Sequence, residues 1–551
     1  MESLDENHEV LLDSYYGKLE GVNFTGGTSE SPYHASLALG VAYAYNAIGE
    51  FRFRQPHTVP SFGLLSTKRF ERRCVPNRSY PGAFDFNEDC LFLNIFKPGN
   101  PPAPGHQDPW PVLFLIHGGA FNYGSSNDFP IEPIVSNFVK NGITVVTTNY
   151  RIGPYGWFTV GENQTSNNIG LWDLHKAFEF ILFSCKELNL DPKRITVAGV
   201  EGGSVLAELL ALRPEIRSNI TGLILICGGS ALSPWAISPD VSQKSVSLAE
   251  ELNITMEDSR DMLHGIKMTP VQDIARLRER GDLSRDHINF VEYTPIFDQD
   301  FFIFDSFKKA LYEAKPVPIL VLTTNNEGVI RSVPFSKSYY SKYFPEIIVN
   351  DLGSFYVCES TTKTAFELYT EFLGDFWFSV PQAFSSLIYA ELDHPVYISV
   401  VETNDEGFMK TTGFRNMPSS LLADSYLFSL QNPFDPVPNP ESSNQYDFVQ
   451  KTLTKHMIDF VKNKALPWPT VPPRAYTTLE LPCHLISRAD TVAEKKTQGA
   501  ADWNRLATFT KGNITEVPMK DPICMKTPHQ NSLDSLFGLS SLMTLVKTVL
   551  K

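Results

Sequence analysis

The chain has 551 residues, 42% hydrophobic and 20% charged, with a formal net charge of −15. This composition supports a large buried core and excludes a disordered chain. The acidic balance argues against nucleic acid and anionic membrane surfaces as main partners.

The first stretch, MESLDENHEVLLDSYYGKLEG, carries acids where a secretory leader has a basic region, and it has no apolar h-region. A cytoplasmic location is the expectation. No apolar run approaches the ~18 residues of a spanning helix, so no integral membrane segment is expected. Seven cysteines are spread along the chain without C-x-x-C, and H-E-x-x-H is absent. No metal site and no cofactor are inferred from them. Short apolar runs then alternate with helical patterns. Strands are predicted at VLFLIHGG, GITVVTTNY, RITVAG, GLILICGG, PILVLTTNN and VYISVVET. Near-continuous apolar runs of this length suit strands buried on both faces. Helical periodicity fills LWDLHKAFEFILFSCKEL and SVLAELLAL. Strand, helix, strand in repetition predicts a large, mostly parallel α/β sheet with right-handed crossovers. Proline-rich stretches such as NPFDPVPNPESS read as surface loops, so residues 1–551 are expected to form a single domain. The last residues, Ser535 to Lys551, have an apolar helical face suited to docking on the body.

Two glycine-rich turns carry the chemistry. IHGGAF, Ile116 to Phe121, ends a predicted strand, and consecutive backbone N–H groups of such a turn can point at one anion. Further on, a strand runs into Gly199-Val200-Glu201-Gly202-Gly203 and a helix leaves it. This is the G-x-S-x-G nucleophile elbow of one class of hydrolases, with Glu201 where the serine belongs. Gly119, Ala120 and Gly202 are the predicted oxyanion-type donors.

With both turns in order, the chain resembles the carboxylesterase/cholinesterase family of the α/β-hydrolase fold. EDCLFLNIF, Glu88 to Phe96, closely matches a family signature, and NIGLWDLHKA, NLDPKRITVAG, GGSALSPWA, YTPIFDQDFF, LTTNNEGVI and HMIDFVKNKALPW follow in the family's order. The resemblance implies a serine nucleophile, a glutamate acid and a histidine base. The serine position is Glu201, the acid matches Glu327, and counting back from Tyr426-Leu427-Phe428 puts Ser420 at the histidine position. Arg415 to Phe428 contains no histidine. His117, His394 and His456 do not obviously substitute for it, and the Ser204 hydroxyl is expected to face away from the elbow tip. The catalytic triad is therefore expected to be degenerate.

The resemblance also implies a disulfide between Cys74 and Cys90. The N-terminus favours two reduced thiols instead, and six N-x-[ST] sequons pull towards a secretory ancestry. The expected function is that of a catalytically inactive, carboxylesterase-like protein, a soluble binder of an unknown small-molecule or protein ligand. The alternative is a carboxylic ester hydrolase working through Ser204 or Glu201 and an unexpected base. A homodimer is implied by resemblance alone. The Glu201 carboxylate is expected to fold onto the glycine-turn donors and plug the site; its rival is a Glu201 that points into an open gorge.

Overall fold

The computed structural model describes residues 3–28, 31–45, 47–76, 86–99, 109–160, 167–238, 240–254, 258–274, 291, 293–324, 327–328, 374–402, 423–429, 444–473 and 484–487. Among them, twelve strands form one sheet. These are β1 (Ser3–Ser14), β2 (Gly17–Thr28), β3 (Ser31–Ala42), β4 (Leu64–Ser66), β5 (Phe92–Pro98), β6 (Trp110–Ile116), β7 (Thr144–Thr148), β8 (Leu190–Val200), β9 (Gly222–Ile226), β10 (Ile319–Thr324), β11 (Val396–Glu402) and β12 (His484–Ser487). The order is β1-β2-β3-β5-β7-β6-β8-β9-β10-β11-β12, with β4 paired to β2. From β7 through β12 every pairing is parallel, whereas β1, β2, β3, β5 and β7 pair antiparallel in succession.

All six predicted strands are present. Their apolar runs are continuous because both sheet faces are covered. In β6, Val112, Phe114 and Ile116 enter one buried cluster while Leu113 and Leu115 enter another. In β9 and β10 the same alternation divides Leu223 and Leu225 from Ile224 and Ile226, and Ile319 and Val321 from Leu320 and Leu322. Helices Ile169–Ser184 and Gly202–Leu210 pack the first face, and Asn444–Asn463 packs the second through Val449, Leu453, Met457 and Phe460. Each of β6, β9 and β10 thus carries two core faces, which fixes its register, since a one-residue slip would exchange them.

Cys74 and Cys90 are joined by a disulfide with a Cα–Cα separation of 4.9 Å. This corrects the preference for reduced thiols drawn from the N-terminus: both sulfurs lie in the buried core, pointed at each other across a short loop. No helix among the described residues is long and apolar enough to cross a membrane. The C-terminal stretch Ser535 to Lys551 lies outside the described residues.

Candidate functional site

The carboxyl ends of β6, β8, β9 and β10 meet at one place, as ligand-binding ends of parallel strands do. β6 ends at Ile116, level with Gly199 of β8, and leads into the turn His117–Phe121. β8 ends at Val200, and Glu201 follows as the cap of the helix Gly202–Leu210. Glu201 adopts φ 51° and ψ −112°. Side-chain-bearing residues occupy this region at a cost of about 1–3 kcal/mol, and such strain collects at functional sites. The surroundings impose the bend. Glu201 N donates to Ile226 O at 2.8 Å, and Ser204 N donates to Glu201 O at 2.9 Å. A Cβ on Gly199 would lie 2.0 Å from Gly203 O, and one on Gly203 would lie 2.4 Å from Ile116 O. Two glycines are therefore fixed by close backbone approach.

Gly119 N and Ala120 N donate to Glu201 Oε2 at 2.7 and 2.9 Å. These are the lengths of charge-assisted hydrogen bonds. Glu201 is 4% exposed. Its carboxylate also sits near the N-terminal end of the following nine-residue helix, where the aligned peptide dipoles favour negative charge. Gly202 begins that helix against the same turn: a Cβ there would meet Ala120 N and Cα at 3.2 Å. The structure thus brings Gly119, Ala120, Glu201 and Gly202 together.

The donor turn is held from behind. Tyr150 Oη donates to His117 O at 3.1 Å, while Gly153 N and Trp157 Nε1 both donate to Phe121 O, at 2.8 and 3.0 Å. Phe121 packs against Trp157 and Trp235, and Trp235 against Phe378, with centroids 5.6–5.8 Å apart. Trp235, from the GGSALSPWA segment, is fully enclosed, so the segment contributes packing here.

Glu327 lies just past β10 and is buried. Its Oε1 accepts from Thr323 Oγ1 at 2.9 Å and from Thr324 N at 2.8 Å. Burial pushes its carboxyl up to about 8, and the charges of Asp424 and Glu201 push the same way. Asp424, in the helix Ala423–Phe428, is raised to about 6, chiefly by burial, with Glu201 adding to the shift. Its carboxyl hydrogen-bonds the Cys227 thiol just past β9, which is buried and raised well above the usual range. Three carboxyls therefore feel one another at the strand ends. Ser420 lies outside the described residues. Asp424 was not found by sequence reasoning, because nothing in SLLADSYLF marks its side chain as turned inwards.

The other candidates are occupied elsewhere. Ser204 Oγ is 2.7 Å from Gly199 O and 2.9 Å from Ile226 O, and it accepts from Ile226 N. It faces the sheet, away from the elbow tip, as expected. His117 Nδ1 donates to Gly118 O at 2.8 Å, its ring stacks on Tyr150, and burial lowers it to about 4. His394 contacts Arg217 and Val317 O at the amino end of β10, and burial together with the Arg217 charge lowers it to about 3. His456 meets Ser399 Oγ at 3.3 Å, midway along β11. Among the described residues, no group of three or more His, Cys, Asp or Glu side chains is placed to hold a metal ion.

The carboxylesterase family model matches residues 8–508. Gut esterase 1 of Caenorhabditis elegans is 24% identical over 497 residues, covering 82% of this chain and 84% of that protein. Bile salt-activated lipase of Bos taurus is 30% identical over 249 residues, covering 43% and 41%. Venom carboxylesterase-6 of Apis mellifera is 28% identical over 243 residues, covering 43% and 42%. Against the last two, the chain matches about two fifths of the relative's length.

Proposed function

Because this chain belongs to the carboxylesterase family, we propose that it keeps the family's α/β-hydrolase fold without its ester hydrolysis, and acts by binding a small molecule or a protein. The observation that carries this reading is the seat of Glu201 Oε2 on the N–H groups of Gly119 and Ala120. Acyl transfer needs such donors free for the oxyanion that forms in the transition state. Here the Glu201 side chain takes them. Nucleophilic catalysis by a hydroxyl also needs a proton to remove and a base to take it. The Glu201 carboxylate has no such proton, and Ser204 spends its hydroxyl on Gly199 and Ile226. Loss of one essential member of a triad lowers turnover by on the order of a millionfold. The seated carboxylate also supports the plugged form over its rival, a Glu201 directed into an open gorge.

A second reading, a carboxylic ester hydrolase with non-standard residues, draws on the printed names of the relatives, a gut esterase and a bile salt-activated lipase. With Ser204 turned to the sheet, this reading rests on Glu201. Incubating the purified protein with an activated aryl ester and with a serine-directed phosphonate separates the two. The binding reading expects no turnover above buffer and no phosphonate label. Sustained turnover that Glu201→Gln abolishes establishes the hydrolase.

A further inference from the structure

A small cavity lies beside the Cys74–Cys90 disulfide, lined in part by Arg151 and Tyr155 of the segment that follows β7. Its polar lining is Arg52, Glu88, Arg151 and Tyr155, and its volume is about 10 Å³. Arg151 binds Asp173 through Nε and Nη2 at 2.8 and 2.6 Å, which leaves Nη1 without a hydrogen-bond partner. The Tyr155 hydroxyl also lacks one, as does Glu88 Oε1, which lies 2.5 Å from Arg52 Nε but outside hydrogen-bonding angle. Arg151 is 3% and Tyr155 4% exposed. Buried polar atoms of this kind cost stability unless satisfied, and ordered water is their usual partner.

We infer that this cavity is a binding site for one ordered water molecule, which accepts from Arg151 Nη1 and Tyr155 Oη and donates to Glu88 Oε1, and that it positions the donor turn of the functional site. Size and charge select the occupant. A volume of about 10 Å³ is near the lower limit for a single water. Two guanidiniums, Arg52 and Arg151, already face two carboxylates, Glu88 and Asp173, so the surroundings are balanced and a halide would meet Glu88 at close range. Burial and the Glu88 charge both push the Tyr155 phenol up, which keeps it a neutral donor.

The position gives the water its role. Arg151 and Tyr155 bracket Gly153, whose N–H holds Phe121 O, and they flank Tyr150 and Trp157, which hold His117 O and Phe121 O. A fixed Arg151–Tyr155 segment therefore fixes the Gly119 and Ala120 donors that meet Glu201. Tyr155 is a positioning residue, one step removed from the site.

The test is a crystal structure of the protein at a resolution that shows ordered solvent, with hydrogen–deuterium exchange on the wild type and on Tyr155→Phe. One solvent peak within hydrogen-bond distance of all three atoms is expected, with no anomalous signal there after a bromide soak. In Tyr155→Phe, exchange of the amides in residues 117–121 should quicken by about tenfold, the size of one lost buried hydrogen bond. A cavity without solvent density, or a bromide peak in it, overturns the water site. Unchanged exchange at 117–121 in a folded variant overturns the positioning role. Should Tyr155→Phe fold poorly, the solvent peak in the wild-type crystal still decides the water site.

Discussion

Replacing Glu327 by Gln should make the protein more stable at alkaline pH and remove much of its loss of stability as pH rises. The carboxyl is buried just past β10, and burial raises its pKa from the ordinary 4.5 to about 8. An acid whose folded pKa lies above its unfolded pKa is destabilising once pH exceeds the unfolded value. The loss begins near pH 4.5, grows as pH rises, and is complete above about 8. A difference of about 3.5 units at ~1.4 kcal/mol each gives an upper bound of about 5 kcal/mol at pH 9. Gln keeps an oxygen for Thr323 Oγ1 and Thr324 N and stays neutral throughout. It therefore mimics the protonated glutamic acid and should match the wild type near pH 5. The assay is urea unfolding followed by tryptophan fluorescence at intervals from pH 5 to 9. The midpoint should fall with pH in the wild type and fall much less in the variant. Parallel pH profiles for the two proteins would refute the reasoning, since the buried acid would then contribute nothing to the dependence.

Other outcomes follow from the same geometry. Glu201→Ala leaves two buried N–H groups without their acceptor and should cost about 2–5 kcal/mol in urea unfolding. Glu201→Gly loses the same bonds but relieves a backbone at φ 51°, so it should be more stable than the alanine variant by about 1–3 kcal/mol, the reverse of the usual order at a helix. Ser204→Ala breaks the link between the start of the helix and β9 and should destabilise by about 1–3 kcal/mol while leaving labelling by a serine-directed phosphonate at background. Reducing Cys74–Cys90, or replacing Cys74 by Ser, opens a loop of about 15 residues and should cost about 3 kcal/mol, seen as a lower unfolding midpoint with a thiol reductant.

The central sheet was legible because its strands carry two core faces each. A run such as Ile224 to Ile226 has no polar residue to confuse it. The antiparallel strands β1 to β3 were not predicted. They mix acids, glycines and apolar residues, as in GKLEGVNFTGGT, and their pairing depends on partners distant in sequence. The elbow was readable because only glycine, which has no Cβ, fits where a Cβ would lie 2.0–2.4 Å from backbone oxygens. The expectation that Glu201 would turn onto the glycine turn followed from counting donors, and its carboxylate does lie there. Asp424 and Cys227 were not readable. Their contact joins the ends of two elements nearly 200 residues apart, and neither residue type at either position announces the other. The disulfide shows the limit of inferring redox state from a chain terminus: two thiols placed side by side in the core outweighed the composition of the first residues.

The most direct test of the account is the turnover of an activated aryl ester by the wild type, Glu201→Ser and the double variant Glu201→Ser/Ser420→His, compared side by side at neutral pH. The account predicts a wild-type rate equal to the buffer blank, little gain from the serine alone, and saturable hydrolysis once the imidazole accompanies it. Saturable hydrolysis by the wild type, lost on Glu201→Gln, would contradict it.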